Sequence, residues 1–280
     1  MGGVASKLKS VHGLDKYILW IVMVVMIAIP LLRPLGLPIV VDNMTREFYD
    51  DVDKLPTGAK VWVENAVIPN QMAEELPGIT VVMTHLMKKN VRIVLVETRD
   101  ATPITIFEQY VIPDLKNRHV LTTYGVDWVQ LPYVPGYETG LAALAANIRS
   151  TTPVDYYGTP LDKLSVMQGL NTVKDFDLVI LFSETGGFYA YIRQIEAPYK
   201  VKFIAQQLTM DIPAIMAYYP GQVSALLKGL GGAAQYEKLL GYPARGIAST
   251  EGQSLSHVWI VLAVIAGNVY YLESKHRRKK

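Results

Sequence analysis

Three glutamates close apolar runs: Glu64 after 60–63, Glu97 after 91–96, and Glu184 just beyond 177–183. In neighbouring parallel strands such ends lie about 4.8 Å apart, near enough for carboxylates to share a proton or recruit a cation. With Asp100 they would offer oxygen ligands suited to Mg2+ or Ca2+. The plainer alternative is that each glutamate ends its strand in solvent or pairs with Arg99, Lys88 or Lys89. Neither a metal nor a cofactor is assigned from these residues alone.

Ser183, Glu184, Thr185, Gly186 and Gly187 join the strongest apolar run to a helix. Glycines at a helix start free backbone N–H groups that can hold an anion, whereas Ser183 or Thr185 acting as a helix cap is the ordinary structural role. Together these residues and the acids suit a metal-bridged phosphate or carboxylate ligand. Gly229, Gly231 and Ala234 fit G-x-G-x-x-A, but the preceding 223–228 reads as helix, so small-residue helix packing explains the spacing better. Tyr133, Tyr137, Tyr218 and Tyr219, with Tyr124, Tyr156 and Tyr157, crowd the loops. Tyrosine is amphipathic and favours interfaces with proteins or lipid headgroups. With Gly229, Gly231 and Gly232 these tyrosines form the expected interface set.

Other chemistries are excluded. The chain has no cysteine, which removes disulfides, thiolate metal sites and a cysteine nucleophile. His85 and His119 are isolated, and neither H-E-x-x-H nor a G-x-S-x-G elbow occurs.

The elements that must position these residues alternate in type. Candidate strands lie at 60–64, 91–97, 127–132, 177–183 and 201–205, separated by candidate helices at 71–90, 102–117, 136–149 and 187–196. A short helix is expected at 45–54, an irregular and partly helical excursion at 150–174, and a last helix at 223–240 weakened near Gly231. Nearly continuous apolar strands alternating with helices predict a parallel sheet covered on both faces. The expected fold is α/β, a doubly wound, mostly parallel sheet in a three-layer Rossmann-like sandwich.

Two long apolar runs bracket this domain. Residues 17–33 and 255–272 are expected transmembrane helices, the first about 24 Å long over its sixteen uncharged residues. No small-x-small cleavage site follows Leu32, which favours a retained span over a signal peptide. Segment 1–16 carries Lys7, Lys9 and Lys16, and tail 273–280 carries Lys275, Arg277, Arg278, Lys279 and Lys280, so both termini are expected in the cytoplasm. The rest of the chain holds 19 of the 27 basic and 23 of the 25 acidic residues, so its positive charge is a tail property and predicts no nucleic-acid binding. Gly2 and Ser6 match a myristoylation pattern, which adds little to a chain already held by a span. Between the spans lie a juxtamembrane segment, 34–56, and an extracytoplasmic domain, 57–250.

The stretches 75–78, 124–127, 131–136 and 221–237 resemble an uncharacterised family of prokaryotic membrane proteins in which two spans bracket a Rossmann-like α/β domain. The resemblance implies topology and no activity. The expected function is a membrane-anchored subunit of an oligomeric assembly, a homo-oligomer or membrane complex, whose domain mediates protein–protein association. The alternative is an anchored enzyme or ligand-binding domain with a carboxylate or cation site at the strand ends.

Overall fold

Side chains alternate across a strand, and the strands here are apolar on both faces, which only a sheet covered on both sides satisfies. The computed structural model describes residues 14–278 and divides into two compact units, Ile39–Gly246 and the two terminal segments together. The N-terminal residues up to 13, with Gly2, Ser6, Lys7 and Lys9, and residues 279–280 lie outside the described residues.

Strands β1 (Lys60–Asn65), β2 (Arg92–Val96), β3 (Trp128–Gln130), β4 (Leu178–Phe182), β5 (Phe203–Gln207) and β6 (Ala225–Lys228) form one sheet. All neighbours are parallel, in the order β3-β2-β1-β4-β5-β6. This is the doubly wound arrangement. The helices are α1 (Leu14–Leu32), α2 (Asn43–Asp53), α3 (Met72–Lys88), α4 (102–117, with a π-turn at Phe107–Val111), α5 (Glu138–Ala146), α6 (185–199, with a π-turn at Ile192–Glu196), α7 (Gly229–Leu240) and α8 (Arg245–Arg278). Trp62, Val94, Val96, Val179 and Leu181 face α5, α6 and the 150–174 excursion. Val61, Val63, Ile93, Leu95 and Ile180 face α2, α3, α4 and α7.

Two segments differ from expectation. Residues 223–240 are not one helix but β6 followed by α7. A short apolar run has no period that decides between helix and strand, and pairing of Ala225–Lys228 with Ile204–Gln207 settles it here. Gly229, at φ +42°, makes the turn. Helix 136–149 breaks at Asn147, which is extended and accepts from Ser150 N at 3.0 Å to start one further turn. The segment expected to be juxtamembrane also contributes to the domain: α2, capped by Asp42 accepting from Thr45 N at 2.9 Å, buries Phe48 and Val52.

In the smaller unit α1 and α8 run antiparallel. Trp259 Nε1 donates to Leu19 O at 3.1 Å, and Gly252 packs on the backbone of Ile27. Glu251 accepts from Leu35 N at 2.6 Å and Leu37 N at 2.8 Å, fixing the extended segment after Pro30 and Pro34. Trp20, Ile21, Val24, Val261 and Ile265 are largely exposed. Among the described residues one helix is long and apolar enough to cross a membrane, Arg245–Val269, with mean hydropathy 1.3; the apolar part of α1, Tyr17–Leu32, is shorter.

Candidate functional site

The chain leaves β1 on one face of the sheet through α3 and leaves β4 on the other through α6, so the strand order reverses between these neighbours. Ligands of doubly wound sheets bind outside the carboxyl ends at such a switch point. Register fixes what gathers there. Glu64 pairs across from Val96, placing Glu97 one step beyond; Asn65 pairs with Phe182, placing Ser183 next; and Phe182 pairs with Gln206. Glu64, Asn65, Glu97, Thr98, Ser183, Gln206 and Gln207 are all buried.

Glu64 is fully satisfied. It accepts from Thr98 N at 2.9 Å and Thr98 Oγ1 at 2.8 Å. Trp62 Nε1 donates to the Tyr191 hydroxyl at 2.8 Å, which in turn donates toward Glu64. Burial raises the carboxyl's pKa, opposed by the Tyr191 and Thr98 hydrogen bonds and by the charge of Arg99.

Glu97 is its opposite. Both oxygens are buried without a hydrogen-bond partner. Burial pushes its pKa well above the carboxylate range, the Glu64 charge adds to that, and the Asn65 amide opposes it without reaching hydrogen-bonding geometry.

Glu184 does not turn toward either of them. Its carboxylate folds back onto its own helix, accepting from Gly186 N at 2.9 Å and Gly187 N at 3.3 Å, and pairs with Arg99. Burial opposes the charge, but the glycine amides and Arg99 hold its pKa below the ordinary value. Arg99 Nη1 also donates to Ser183 Oγ at 3.1 Å, bridging the ends of β2 and β4. Thr185 N donates to Asp211 Oδ2 at 3.0 Å, so the first amides of α6 are all engaged. A Cβ on Gly187 would collide with Ser183 Oγ and Cβ, which holds that position to glycine, whereas one on Gly186 would meet only the carboxylate end of Glu184. Asp100 is exposed and accepts from Thr102 N at 2.6 Å, serving the start of α4.

The expected Mg2+ or Ca2+ set is therefore not assembled. Glu64, Glu184 and Asp100 are each turned to a different partner and Glu97 to none, and among the described residues no group of three or more His, Cys, Asp or Glu could hold a metal ion.

A fourth glutamate, not singled out from the sequence, completes the edge. Glu75, in the first turn of α3, is fully buried and neither oxygen has a partner. Burial, with the charges of Glu74, Asp211 and Glu184, pushes its pKa up to about 8 against the pull of Arg99. One turn along, Gly78 is the close-approach point where Gln206 Oε1 would meet any Cβ. That oxygen, and Gln207 Oε1, are also buried without a partner. A cavity of about 140 Å³ lined by Ala66, Ile68, Gln71, Arg99 and Asp100 opens at this edge.

No known protein family, curated protein or solved structure matches the chain. The reading of the site therefore rests on its geometry.

The G-x-G-x-x-A spacing does follow a strand, contrary to expectation, since Gly229 opens α7 directly after β6. Yet Glu74 lies against Gly229 and accepts from Thr209 N at 2.6 Å, so a carboxylate closes the turn. Gly232 packs on Leu227, while Gly231 has open space over its Cα. Among the expected interface tyrosines, Tyr137 carries Arg99 over its ring at 5.3 Å and the Tyr133 hydroxyl approaches Arg99 O at 3.5 Å. Tyr218 packs on Phe188 and Tyr189, and Tyr219 donates to Glu47.

Proposed function

We propose that the protein is a membrane-anchored, extracytoplasmic binding domain, in which α1 and α8 cross the bilayer as an antiparallel pair and the carboxyl edge of the sheet receives a small polar ligand. The observation that carries the reading is the set of unpartnered buried oxygens on Glu75, Glu97, Gln206 and Gln207. Each such group costs about 1–3 kcal/mol when left unpaired. Their gathering at the edge where doubly wound sheets bind ligands is a reason for a fold to keep them. A thermal-shift screen of small polar compounds on the full chain in lipid nanodiscs should raise the unfolding midpoint, and Glu97→Gln should cancel the rise. A screen without any shift, with Glu75→Leu and Glu97→Leu both more stable than wild type, would leave the edge without a ligand.

The anchor reading is supported by the antiparallel contacts of α1 and α8, by their exposed apolar side chains and by the basic flanks, which favour cytoplasmic termini. Protease added to right-side-out vesicles should digest the domain and spare a C-terminal tag. Protection of the domain refutes the orientation. A second reading, association between copies, is favoured by the open Gly231 and by the exposed ring pair Tyr156 and Tyr157, 5.2 Å apart. Mass photometry showing only monomers after extraction counts against it.

A further inference from the structure

The donors and acceptors at the switch-point edge are not balanced, and the imbalance names a ligand chemistry. The amides of Gly186 and Gly187 are engaged by Glu184, that of Thr185 by Asp211, that of Thr209 by Glu74 and that of Thr98 by Glu64. Arg99 is engaged by Ser183 and Glu184. A phosphate or carboxylate arriving here would meet carboxylates already seated on the groups that usually hold it. Every unpartnered atom at this edge is an oxygen, on a side-chain amide or on a carboxyl that becomes acceptor-only when ionised.

We propose that the ligand is a small organic cation, carrying an ammonium or guanidinium group, that supplies the donors missing from Glu75 and Glu97. The inference rests on the ligand-binding reading above and names the class of ligand. A bare metal ion fits poorly because the acids do not converge, whereas a guanidinium spreads several N–H donors over separated acceptors. The cavity matches in size, and the guanidinium of Arg99 on its lining is paired with Glu184. About 140 Å³ admits a headgroup of a few heavy atoms, Ala66 and Ile68 offer apolar contact to a methylene stem, and Asp100 stands at the rim. Gln71, the N-cap of α3, lines the cavity and its carbonyl accepts from Glu75 N at 3.0 Å, and Arg99 and Asp100 on the lining follow Glu97 by two and three residues, so both glutamates stand within a turn of chain of the cavity wall.

Burial pushes both carboxyls up, Glu75 to about 8 and Glu97 well above the ordinary carboxylate range. Glu75 is faced by Glu74 on α3, Asp211 after β5, Glu184 after β4 and Arg99 after β2; Glu97 is faced by Glu64 and Asp100. A cation brought beside them favours their ionised forms, so their protons leave to solvent as the ligand enters. Affinity then rises with pH up to about 8, by about tenfold per pH unit for the proton that Glu75 releases.

The test uses the full chain in nanodiscs, titrated calorimetrically with methylguanidinium, putrescine, inorganic phosphate and adenosine monophosphate at pH 6 and pH 8, in two buffers of different protonation enthalpy. The expected result is binding of a cation alone, tighter at pH 8, with proton release, and at least tenfold weaker in Glu75→Gln and Glu97→Gln. The wild-type proton count needs no variant and stands even if a variant folds poorly. Binding of phosphate or nucleotide without either cation overturns the ligand class and leaves the site. Cation binding without proton release, or unchanged in both variants, overturns the role of the two glutamates. No binding of any probe overturns the cation proposal, and the ligand site falls with it only if the wider screen is also empty and the leucine variants are stabilised.

Discussion

Glu75→Gln isolates the energetics of one buried acid. The folded carboxyl titrates at about 8 against an ordinary value of 4.5, so above pH 4.5 the unfolded chain releases a proton that the folded chain retains. Stability contributed by this group is complete below pH 4.5, declines as pH rises, and levels off above 8. At 1.36 kcal/mol per pH unit, the loss is about 3 kcal/mol at pH 7 and about 5 kcal/mol on the high-pH plateau. Glutamine keeps the shape and does not titrate. Urea unfolding of the full chain in nanodiscs, followed by the buried Trp62, should give curves for variant and wild type that coincide near pH 4.5 and separate progressively to pH 8, with the variant more stable. Parallel curves, or a variant less stable at pH 8, would mean that Glu75 is ionised and paired in the fold, and the argument from its isolation would fail.

His85 makes the opposite case: burial lowers its pKa despite Asp53, while Nδ1 meets the Tyr236 hydroxyl at 2.8 Å and Nε2 meets Asp53 at 3.2 Å. Its stabilisation should be complete above pH 6.5 and fade as pH falls below it, a slope that His85→Gln removes while costing about 1–3 kcal/mol at pH 7.5 through the orphaned Tyr236 hydroxyl; the same unfolding series checks both. Gly187→Ala should destabilise by about 1–3 kcal/mol because its Cβ meets Ser183 Oγ. Gly231→Ala, with open space over it, should stabilise by up to about 1 kcal/mol. A shared sign in thermal shifts of these two would contradict the packing.

The sheet was legible because its central strands are apolar on both faces, a pattern that a solvent-facing element cannot carry. Glu64, Glu97 and Glu184 could be placed at the carboxyl edge for the same reason, since each ends or directly follows such a run. Their partners could not be read. Once the chain leaves a strand, loop torsions set where a side chain points, and Glu184 curls onto Gly186 and Gly187 while Glu64 reaches Thr98. Glu75 was hidden by its place in a helix's first turn, where an acid ordinarily complements the dipole. β6 was hidden because only the neighbouring strand decides its conformation.

Both ends of the larger unit are tied to α7. Lys238 Nζ donates to Ile39 O at 2.6 Å, and Glu237 accepts from Ala244 N at 2.9 Å and Gly246 N at 2.7 Å. Leu37 and Glu251, which meet in the smaller unit, are 214 residues apart in sequence. Closing a flexible loop of that length costs about 5 kcal/mol in chain entropy. A folded domain whose own ends are held on one helix removes most of that penalty and raises the effective concentration of α1 for α8. Pairing of the two terminal helices is thereby made conditional on folding of everything between them, and a substitution that unfolds the sheet should also separate helices that it never touches.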